Sequence, residues 1–563
     1  MKKKLLLPLL IILYLFLNLY CVFNESPIWD EPLQLKVGLM FWKTKQFILE
    51  PVEPPLARLI TSLPVFLFGQ KIMTGKLGEV YFYPRLVVIF IGCFFLIFFY
   101  KVLKEIFNEK LALLGTILFI FEPNLLTHSH YNTTDFIFTA LFFGVIYLLK
   151  KEKYWTSILP VSLGLLFATK VSGPVIFFFT GFLLTLFSVS LRRRLWLDFS
   201  TSLETTKKNI KRTVLFLLIF FVAFWASYLF KIGPAISYQT EKAAKEYQYF
   251  IFENKPFWLK IFNQPLPFID YLATLKFGVQ YQKAGFDAYF AGNHSKYGWW
   301  WYFPVVFLLK TPLPLLILFF TTMFSILRVS PDLVGTSREV PLKLFSTSSN
   351  NKQSLLFSLD SSNNNLPTFF LTPILAIMFL SLFLRINQGL RHILLIYPFL
   401  IIMAVFGWKK LWRQGKKWHL VLCGLLIWYI GRTIYFLPHP ITFTNEFLSP
   451  AKSYQVLTDS NLSWGQELIA IRGWLKSTNQ QIIQSTNQQI SLFYFGNVKI
   501  SDYLSDFREY DCGDYKSFIN LIKEKKSPVL ISATCLQKMA ARHDKKILNL
   551  KPKQIIANSI LVY

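Results

Sequence analysis

Two adjacent carboxylates, Asp30 and Glu31, are the residues of this sequence best suited to chemistry. They follow a few residues after an apolar run that covers positions 5–23. A carboxylate beside a membrane can act as a general base that accepts a proton from an attacking hydroxyl. Acidic side chains are also favoured in the first turn of a helix, which is the alternative interpretation. We expect Asp30 to be the base and Glu31 to support it electrostatically.

A second charged element lies downstream in the same loop, Glu50-Pro51-Val52-Glu53-Pro54-Pro55-Leu56-Ala57-Arg58. Because proline suits the first turn of a helix, the double proline predicts a helix that begins here and carries Arg58 near the membrane surface. A cation in that position can bind a lipid phosphate. Glu53, just before the prolines, is a candidate for a supporting role.

Four cations are expected on one face of the membrane: Arg58, Lys170, Arg385 and Arg391. Each alone could simply extend its charge toward the lipid headgroups. Together they predict a phosphate-binding cluster, centred on Arg391 and His392, in which charge-assisted hydrogen bonds form. Asp135 could orient the acceptor or one of these cations, and capping of a helix is the alternative.

His128 and His130 lie in a short turn before Asp135. A metal site needs a third ligand, and the sequence identifies none, so a pair of surface histidines is the simpler interpretation. We assign no metal ligands and no certain cofactor. A divalent metal stays an open alternative.

The composition places these residues at a membrane. Of 563 residues, 53% are hydrophobic and 16% are charged, while the formal net charge is +29. Basic residues of a membrane protein concentrate in its short cytoplasmic loops. Nucleic-acid binding would need them on one folded face, whereas here they form short clusters between apolar runs, so no nucleic-acid partner is expected.

About eleven apolar runs are long enough to be helical spans, given that a span needs about 20 residues. They cover 5–23, 84–103, 111–127, 133–149, 154–170, 172–190, 213–230, 303–326, 369–384, 392–408 and 418–437. The first run resembles a signal peptide, but no small-residue cleavage site follows it, so we expect it to be retained.

With the N-terminus inside, every strong basic cluster that borders a span falls on the same side. This pattern predicts a multi-pass protein of the cell membrane with a cytoplasmic N-terminus. The first outer loop, 24–83, is then expected to contain helices lying in the membrane interface. The polar stretch 345–366 is interpreted as a disordered cytoplasmic insert.

The composition changes after residue 437, where alternating strands and helices are predicted. The strands are expected at 490–495, 528–532 and 555–562, and the helices near 465–476, 514–525 and 534–541. The fold class is therefore an all-α polytopic membrane domain, 1–437, followed by a small extracytoplasmic α/β domain, 438–563. Cys512 and Cys535 share this second domain and could form a disulfide if it lies outside the cytoplasm.

The order of the charged elements resembles the GT-C glycosyltransferases. The most similar patterns are those of the protein O-mannosyltransferases (glycosyltransferase family 39 type) and of bacterial enzymes akin to aminoarabinose transferase. The matching elements are Asp30-Glu31, Pro54-Pro55-Leu56-Ala57-Arg58, Asn132-Thr133-Thr134-Asp135, Ala168-Thr169-Lys170, Gly389-Leu390-Arg391-His392 and Asp459–Glu467. Family members commonly have His and Lys where this chain has Glu53 and Arg58, and Asp where it has Ser463.

The resemblance implies a GT-C fold and an inverting transfer of a sugar from a polyprenyl-phosphate donor to a glycan, lipid or protein acceptor on the extracytoplasmic face. Its partners would be that donor, the acceptor and membrane lipids. The absence of a glycine-rich nucleotide-binding loop agrees with a lipid-linked donor. A transporter or flippase of a lipid-linked substrate is one alternative, although neither repeats nor broken helices are evident in the sequence. An inactive accessory subunit is the other, and the intact Asp30-Glu31 pair argues against it.

Overall fold

The computed structural model describes residues 5–45, 53–72, 80–187, 203–233, 264–329, 366–486, 489–505, 507–525 and 527–563, together with 257, 260 and 261. The predicted insert 345–366, apart from Leu366, and the segment Glu50-Pro51-Val52 lie outside these residues.

Helices make up most of the described chain. In chain order they are α1 (Leu6–Asn24), α2 (Glu31–Thr44), α3 (Leu56–Ile72), α4 (Phe82–Ile106), α5 (Glu109–Ile120), α6 (Pro123–His128), α7 (Thr134–Leu148), α8 (Ile158–Phe167), α9 (Gly173–Phe187), α10 (Leu203–Ala226), α11 (Ile269–Ala284), α12 (Tyr302–Lys310), α13 (Leu313–Val329), α14 (Leu366–Ser381), α15 (Tyr397–Trp412) and α16 (Lys416–Tyr435). A 3-10 turn, Leu390–Ile396, leads directly into α15.

Several of these helices can cross a membrane. Among the described residues, α1, α4, the combined segment Leu390–Trp412 and α16 are long and apolar enough to do so alone, and the bent pair α12–α13 would make a fifth span. Five more apolar helices of 10–17 residues accompany them. The chain is therefore a multi-pass membrane protein, while the count of eleven spans stays a prediction.

Two predicted spans are broken in the structure, which corrects the expectation of unbroken helices. The run 111–127 is divided because the Glu122 carboxylate accepts a hydrogen bond from the Leu125 N–H (2.6 Å), with Pro123 at the first position of α6. The run 303–326 is divided at Thr311, whose backbone is extended (φ −96°, ψ 129°) because it precedes Pro312. The axes of α12 and α13 differ by 116°.

The loop between α1 and α4 contains α2 and α3, which pack closely against each other. Gly38 of α2 makes the approach feasible, since a Cβ there would overlap the carbonyl oxygen of Arg58 and the side chain of Ser62. The N–H of Leu56, at the start of α3, donates to the carbonyl of Ala168 (3.1 Å). This bond places the beginning of α3 beside the loop that carries Lys170.

The C-terminal part contains α17 (Leu468–Thr486), α18 (Tyr515–Glu524) and α19 (Ala533–Arg542) around a five-stranded mixed sheet. Two more strands, β1 (Ala288–Phe290) and β2 (Asn293–Ser295), pair in the loop before α12. The strands of the sheet are β3 (Ile490–Phe493), β4 (Phe507–Tyr510), β5 (Val529–Ser532), β6 (Gln554–Ile556) and β7 (Ile560–Val562), in the order β4-β3-β5-β7-β6. Strand β3 is parallel to β4 and β5, whereas β7 is antiparallel to β5 and β6.

Two features of this sheet differ from the sequence prediction. The predicted strand 555–562 is a hairpin, because Ala557 and Asn558 adopt positive φ (49° and 57°) and turn the chain. Strand β4 was not expected, since it is short, polar and half exposed at the sheet edge. A disulfide joins Cys512, after β4, to Cys535 of α19.

The segment after α16 packs against the loop after α1. The N–H of Ser26 donates to the Gln466 carbonyl (3.0 Å), and that of Trp29 donates to the Trp464 carbonyl (2.8 Å). Residues from both ends of the membrane body are thereby brought to one place. Asp30 lies next to this backbone pairing.

Candidate active site

Asp30 precedes α2 and forms an ion pair with an arginine far away in the sequence. It occupies the N-cap position of α2 without a side-chain hydrogen bond to the helix, while Glu31 lies in the first turn, as the alternative interpretation expected. Arg391 Nη1 lies 2.5 Å from Asp30 Oδ2. The Asp30 side chain keeps 24% of its exposure, which leaves this carboxylate accessible.

Glu31 has a different role from its neighbour. Its side chain is fully buried, and Arg85 of α4 donates to both carboxylate oxygens (2.8 and 2.7 Å). The N–H groups of Ile28 and Asn132 each donate to it as well (2.9 Å). With four donors already bound, Glu31 has no capacity to contact a substrate. We therefore propose a positioning role for Glu31, since it ties α2, α4 and the loop before α7 together, and its electrostatic support of Asp30 stays a prediction.

Arg391 is held in place by the 3-10 turn Leu390–Ile396. The Leu390 N–H donates to the side chain of Asn461 (2.9 Å), and Gly389 lies so close to Ser460 that a Cβ would overlap the serine hydroxyl. The Arg391 guanidinium also lies over the ring of Trp464, 4.4 Å from its centroid. Such a cation–π contact fixes the plane of the guanidinium without using its hydrogen-bond donors.

Asp135 and Lys170 complete the charged cluster. Lys170 Nζ is paired with Asp135 Oδ1, and Arg391 Nη1 lies 3.8 Å from Asp135 Oδ2. Asp135 is in the first turn of α7, where Thr133 and not Asp135 occupies the cap position. The carboxylate therefore bridges two cations, and with Asp30 it forms an alternating chain of four charges. We name Asp30, Arg391, Asp135 and Lys170 the charge cluster.

The other predicted phosphate ligands, His392, Arg58 and Arg385, differ in how close they lie to the charge cluster. His392 is adjacent to the cluster, with its ring edge-on to Phe303 (6.1 Å) and within electrostatic reach of Asp135 and Lys170. Arg58 is buried between α2 and α3, where its Nε donates to Gln34 Oε1 (2.7 Å). Arg385 is exposed and lies over the ring of Tyr297 (5.5 Å).

These positions leave two of the four predicted cations outside the charge cluster, and their phosphate-binding role stays a prediction. In the part of the chain that the structure describes, neither Arg58 nor Arg385 forms an ion pair with Asp30 or Asp135. The reason is the packing of the first loop, which turns Arg58 toward α2. Glu53, near the start of α3, has one carboxylate oxygen buried without a hydrogen-bond partner.

Sequence reasoning missed Asp459 as a site residue, although it begins the Asp459–Glu467 element. Its backbone is in the left-handed region (φ 51°), and its N–H donates to the Thr534 hydroxyl (2.8 Å). Burial raises the pKa of the Asp459 carboxyl to about 6, against the opposing effect of Arg391. A carboxyl that titrates near neutral pH beside a second carboxylate, Asp30, is typical of functional sites.

A second buried network lies behind the charge cluster. The Glu25 carboxylate contacts His130 Nε2 (2.9 Å) and His439 Nδ1 (3.2 Å), so His130 is a buried residue and not the expected surface one. Burial alone would raise the pKa of Glu25, but the bonds to the two histidines outweigh it and lower the pKa to about 2. Among the described residues, no group of three His, Cys, Asp or Glu could hold a metal ion.

An apolar groove of about 810 Å³ is lined mainly by residues of α3, α4, α7 and α8. One end is formed by Leu56 and Ile137, which are close in sequence to Arg58 and Asp135. The other end is formed by Glu105 and Lys151. The lining from Ile91 to Glu105 of α4 is about 21 Å long at 1.5 Å per residue. A groove of this volume lies within the range of ligand-binding cavities.

The comparisons with known proteins concern the fold. No protein-family model matches the chain, and no curated protein matches it. The structure is similar to that of ArnT from Cupriavidus metallidurans bound to undecaprenyl phosphate, at 13% identity and a TM-score of 0.46 over 98% of this chain and 97% of that one. It is also similar to the Archaeoglobus fulgidus oligosaccharyltransferase in the apo form, at 14% identity and a TM-score of 0.38 over 94% and 70%.

With identities of 13–14% and TM-scores of 0.46 and 0.38, neither similarity assigns a role to this chain. By its fold and its site, the protein is a multi-pass helical membrane protein with a cluster of alternating charges at the ends of its helices.

Proposed function

We propose that the protein is a membrane glycosyltransferase that moves a sugar from a polyprenyl-phosphate donor to an acceptor hydroxyl. The observation that carries this proposal is the charge cluster, in which an accessible carboxylate, Asp30, shares Arg391 with the buried Asp135–Lys170 pair. One group of this cluster can accept a proton, and two others can stabilise an anion.

In the proposed reaction the acceptor oxygen attacks the anomeric carbon, and its proton passes to the Asp30 carboxylate. The bond between the anomeric carbon and the phosphate oxygen breaks, and its electron pair stays on the phosphate. Arg391 and Lys170 stabilise the negative charge that grows there. Attack opposite the leaving phosphate inverts the anomeric centre.

The ion pair of Asp30 with Arg391 couples donor binding to base activation. A donor phosphate that binds Arg391 competes with Asp30 for the same guanidinium. Asp30, released from the ion pair, would then be available to the acceptor. This arrangement would keep the base inactive until the donor has bound.

The prenyl chain of the donor would occupy the apolar groove. Asp135 and Ile137 are two residues apart at the start of α7, and the Leu56 N–H is bonded to the loop that carries Lys170. Along α7 the lining of the groove therefore begins within one helical turn of Asp135. The extracytoplasmic location of this end of the membrane is proposed from the distribution of basic loops.

The broken pair α12–α13 is the feature that favours a transporter, since transporters often contain discontinuous helices. Here the break has a structural role: Lys310 Nζ donates to the carbonyls of Ile441 (2.6 Å) and Asn461 (2.7 Å) and so holds the segment that supports Arg391. Covalent attachment of a labelled sugar to an acceptor distinguishes transfer from transport, in which the lipid-linked sugar is unchanged.

Acceptors are first identified by mass spectrometry of surface glycans in cells with and without the gene. The proposal is then tested by measuring how fast the purified protein transfers sugar from a radiolabelled polyprenyl-phosphate sugar to such an acceptor. Arg391→Ala should reduce transfer about ten- to a hundredfold, because a charge-assisted bond is lost. Arg413→Ala, exposed at the opposite end of α15, is the matched control and should retain activity. Equal effects of the two substitutions would contradict the proposal.

A further inference from the structure

Several buried polar atoms around the charge cluster have no hydrogen-bond partner in the described structure. They are His128 Nδ1, Asn132 Nδ2, Thr133 Oγ1, Arg391 Nε and His392 Nε2. Folded proteins pair nearly all of their buried polar groups, since an unpaired one loses its hydration without compensation. Five such atoms near one another therefore need an explanation.

These atoms belong to residues that lie at or beside the charge cluster. The His128 ring lies 6.2 Å from that of Trp464, and the Arg391 guanidinium lies over the same tryptophan. Asp135 interacts electrostatically with Arg391, His128 and His392. Asn132 and Thr133 immediately precede Asp135 at the start of α7.

The loop 128–133 is held by hydrogen bonds to three neighbouring parts of the chain. Ser129 Oγ donates to Asn18 (2.7 Å), His130 contacts Glu25, and the Asn132 N–H donates to Glu31. The side chains of His128, Asn132 and Thr133 take no part in these bonds, yet each is only 2–3% exposed. Such a preorganised set of polar groups is what a binding site requires.

The chemistry of the atoms indicates what they would bind. Asn132 Nδ2 and Arg391 Nε are donors only, whereas the Thr133 hydroxyl can donate and accept. Burial lowers the pKa of His128 to about 3, so its ring is neutral at pH 7 and can accept a hydrogen bond. A phosphate could use only the donors of this set. A ligand with several hydroxyl groups matches both kinds of atom.

We propose that His128, Asn132, Thr133 and His392 form the subsite for the neutral, polyhydroxylated sugar ring of the donor, next to the phosphate held by Arg391 and Lys170. This inference rests on the proposed function and adds the residues that would recognise the sugar. It also assigns the two parts of the donor to different side chains, which can be tested separately.

The test is binding of two kinds of probe to the purified full-length protein. One is farnesyl phosphate, and the other is farnesyl phosphate that carries glucose, mannose, galactose or arabinose. At least one sugar-bearing probe should bind the wild type more tightly than farnesyl phosphate. Thr133→Val and Asn132→Ala should each weaken that probe by roughly 3- to 10-fold, the effect of one hydrogen bond, and leave farnesyl phosphate unaffected.

The matched control is Thr116→Val, since Thr116 is a buried threonine whose hydroxyl is bonded within its own helix (2.8 Å to the Ala112 carbonyl). It should bind both probes as the wild type does. Equal binding of all probes by the wild type, or equal weakening of both kinds by Thr133→Val and Asn132→Ala, would overturn the sugar subsite. A failure of the proposed function itself would give a different result. In that case Arg391→Ala would bind farnesyl phosphate as tightly as the wild type does.

Discussion

Substitution of Glu31 by glutamine should destabilise the protein, although the change keeps the shape of the side chain. Each oxygen of the Glu31 carboxylate accepts two hydrogen bonds, one from Arg85 and one from a backbone N–H. The amide nitrogen of glutamine cannot accept either bond at its position. Arg85, itself 2% exposed, would be left as a buried cation without its counter-ion.

The magnitude follows from this geometry. Removing one partner of a buried ion pair costs about 3–5 kcal/mol. The unfolding entropy is about 2 cal/mol/K per residue, and the chain has 563 residues. Dividing the lost free energy by the total unfolding entropy gives a decrease of about 2–4 °C in melting temperature. We expect activity to fall only in proportion to the folded protein, because Glu31 does not contact the reacting groups.

Thermal unfolding of the purified variants in detergent measures this effect. Glu105→Gln is the control, since the Glu105 side chain is 51% exposed and its pair with Lys151 is worth less than about 1 kcal/mol. The double variant Glu31→Leu with Arg85→Leu should recover part of the stability, because it removes both charges. A Glu31→Gln protein with the same melting temperature as the wild type would refute the positioning role.

The remaining predictions concern the base, the titration of Asp459 and the orientation. Asp30→Asn should insert and bind farnesyl phosphate but transfer sugar about 10²–10⁴-fold more slowly, as measured at matched expression; near-normal transfer would exclude Asp30 as the base. Because burial raises the pKa of Asp459 to about 6, the folded state keeps a proton there between about pH 4 and 6 that the unfolded state releases. Stability should therefore decrease as pH rises through this window, and melting curves of Asp459→Asn should show a smaller decrease. A reporter fused after Tyr563 should be active outside the cytoplasm and one fused after Gly415 inside; activity on the same side would contradict the orientation.

Much of the site could be predicted from the sequence because charged residues at the ends of apolar runs are conspicuous. Asp30, Asp135, Lys170 and Arg391 each border such a run, and the structure joins all four in the charge cluster. A charge beside a span must be solvated, paired or used, and this requirement applies before any tertiary contact is known. The apolar runs likewise determined that the chain is a helical membrane protein.

The partners of these charges were decided by the tertiary structure alone. Asp30 and Arg391 are 361 residues apart, and nothing in the spacing of either residue indicates that they meet. Sequence periodicity shows at which end of a helix a residue lies, but the rotation of that helix against its neighbours depends on packing. Packing turned Arg58 toward Gln34, made Glu31 the counter-ion of Arg85, and brought Asp459 to Arg391 after the membrane helices had ended.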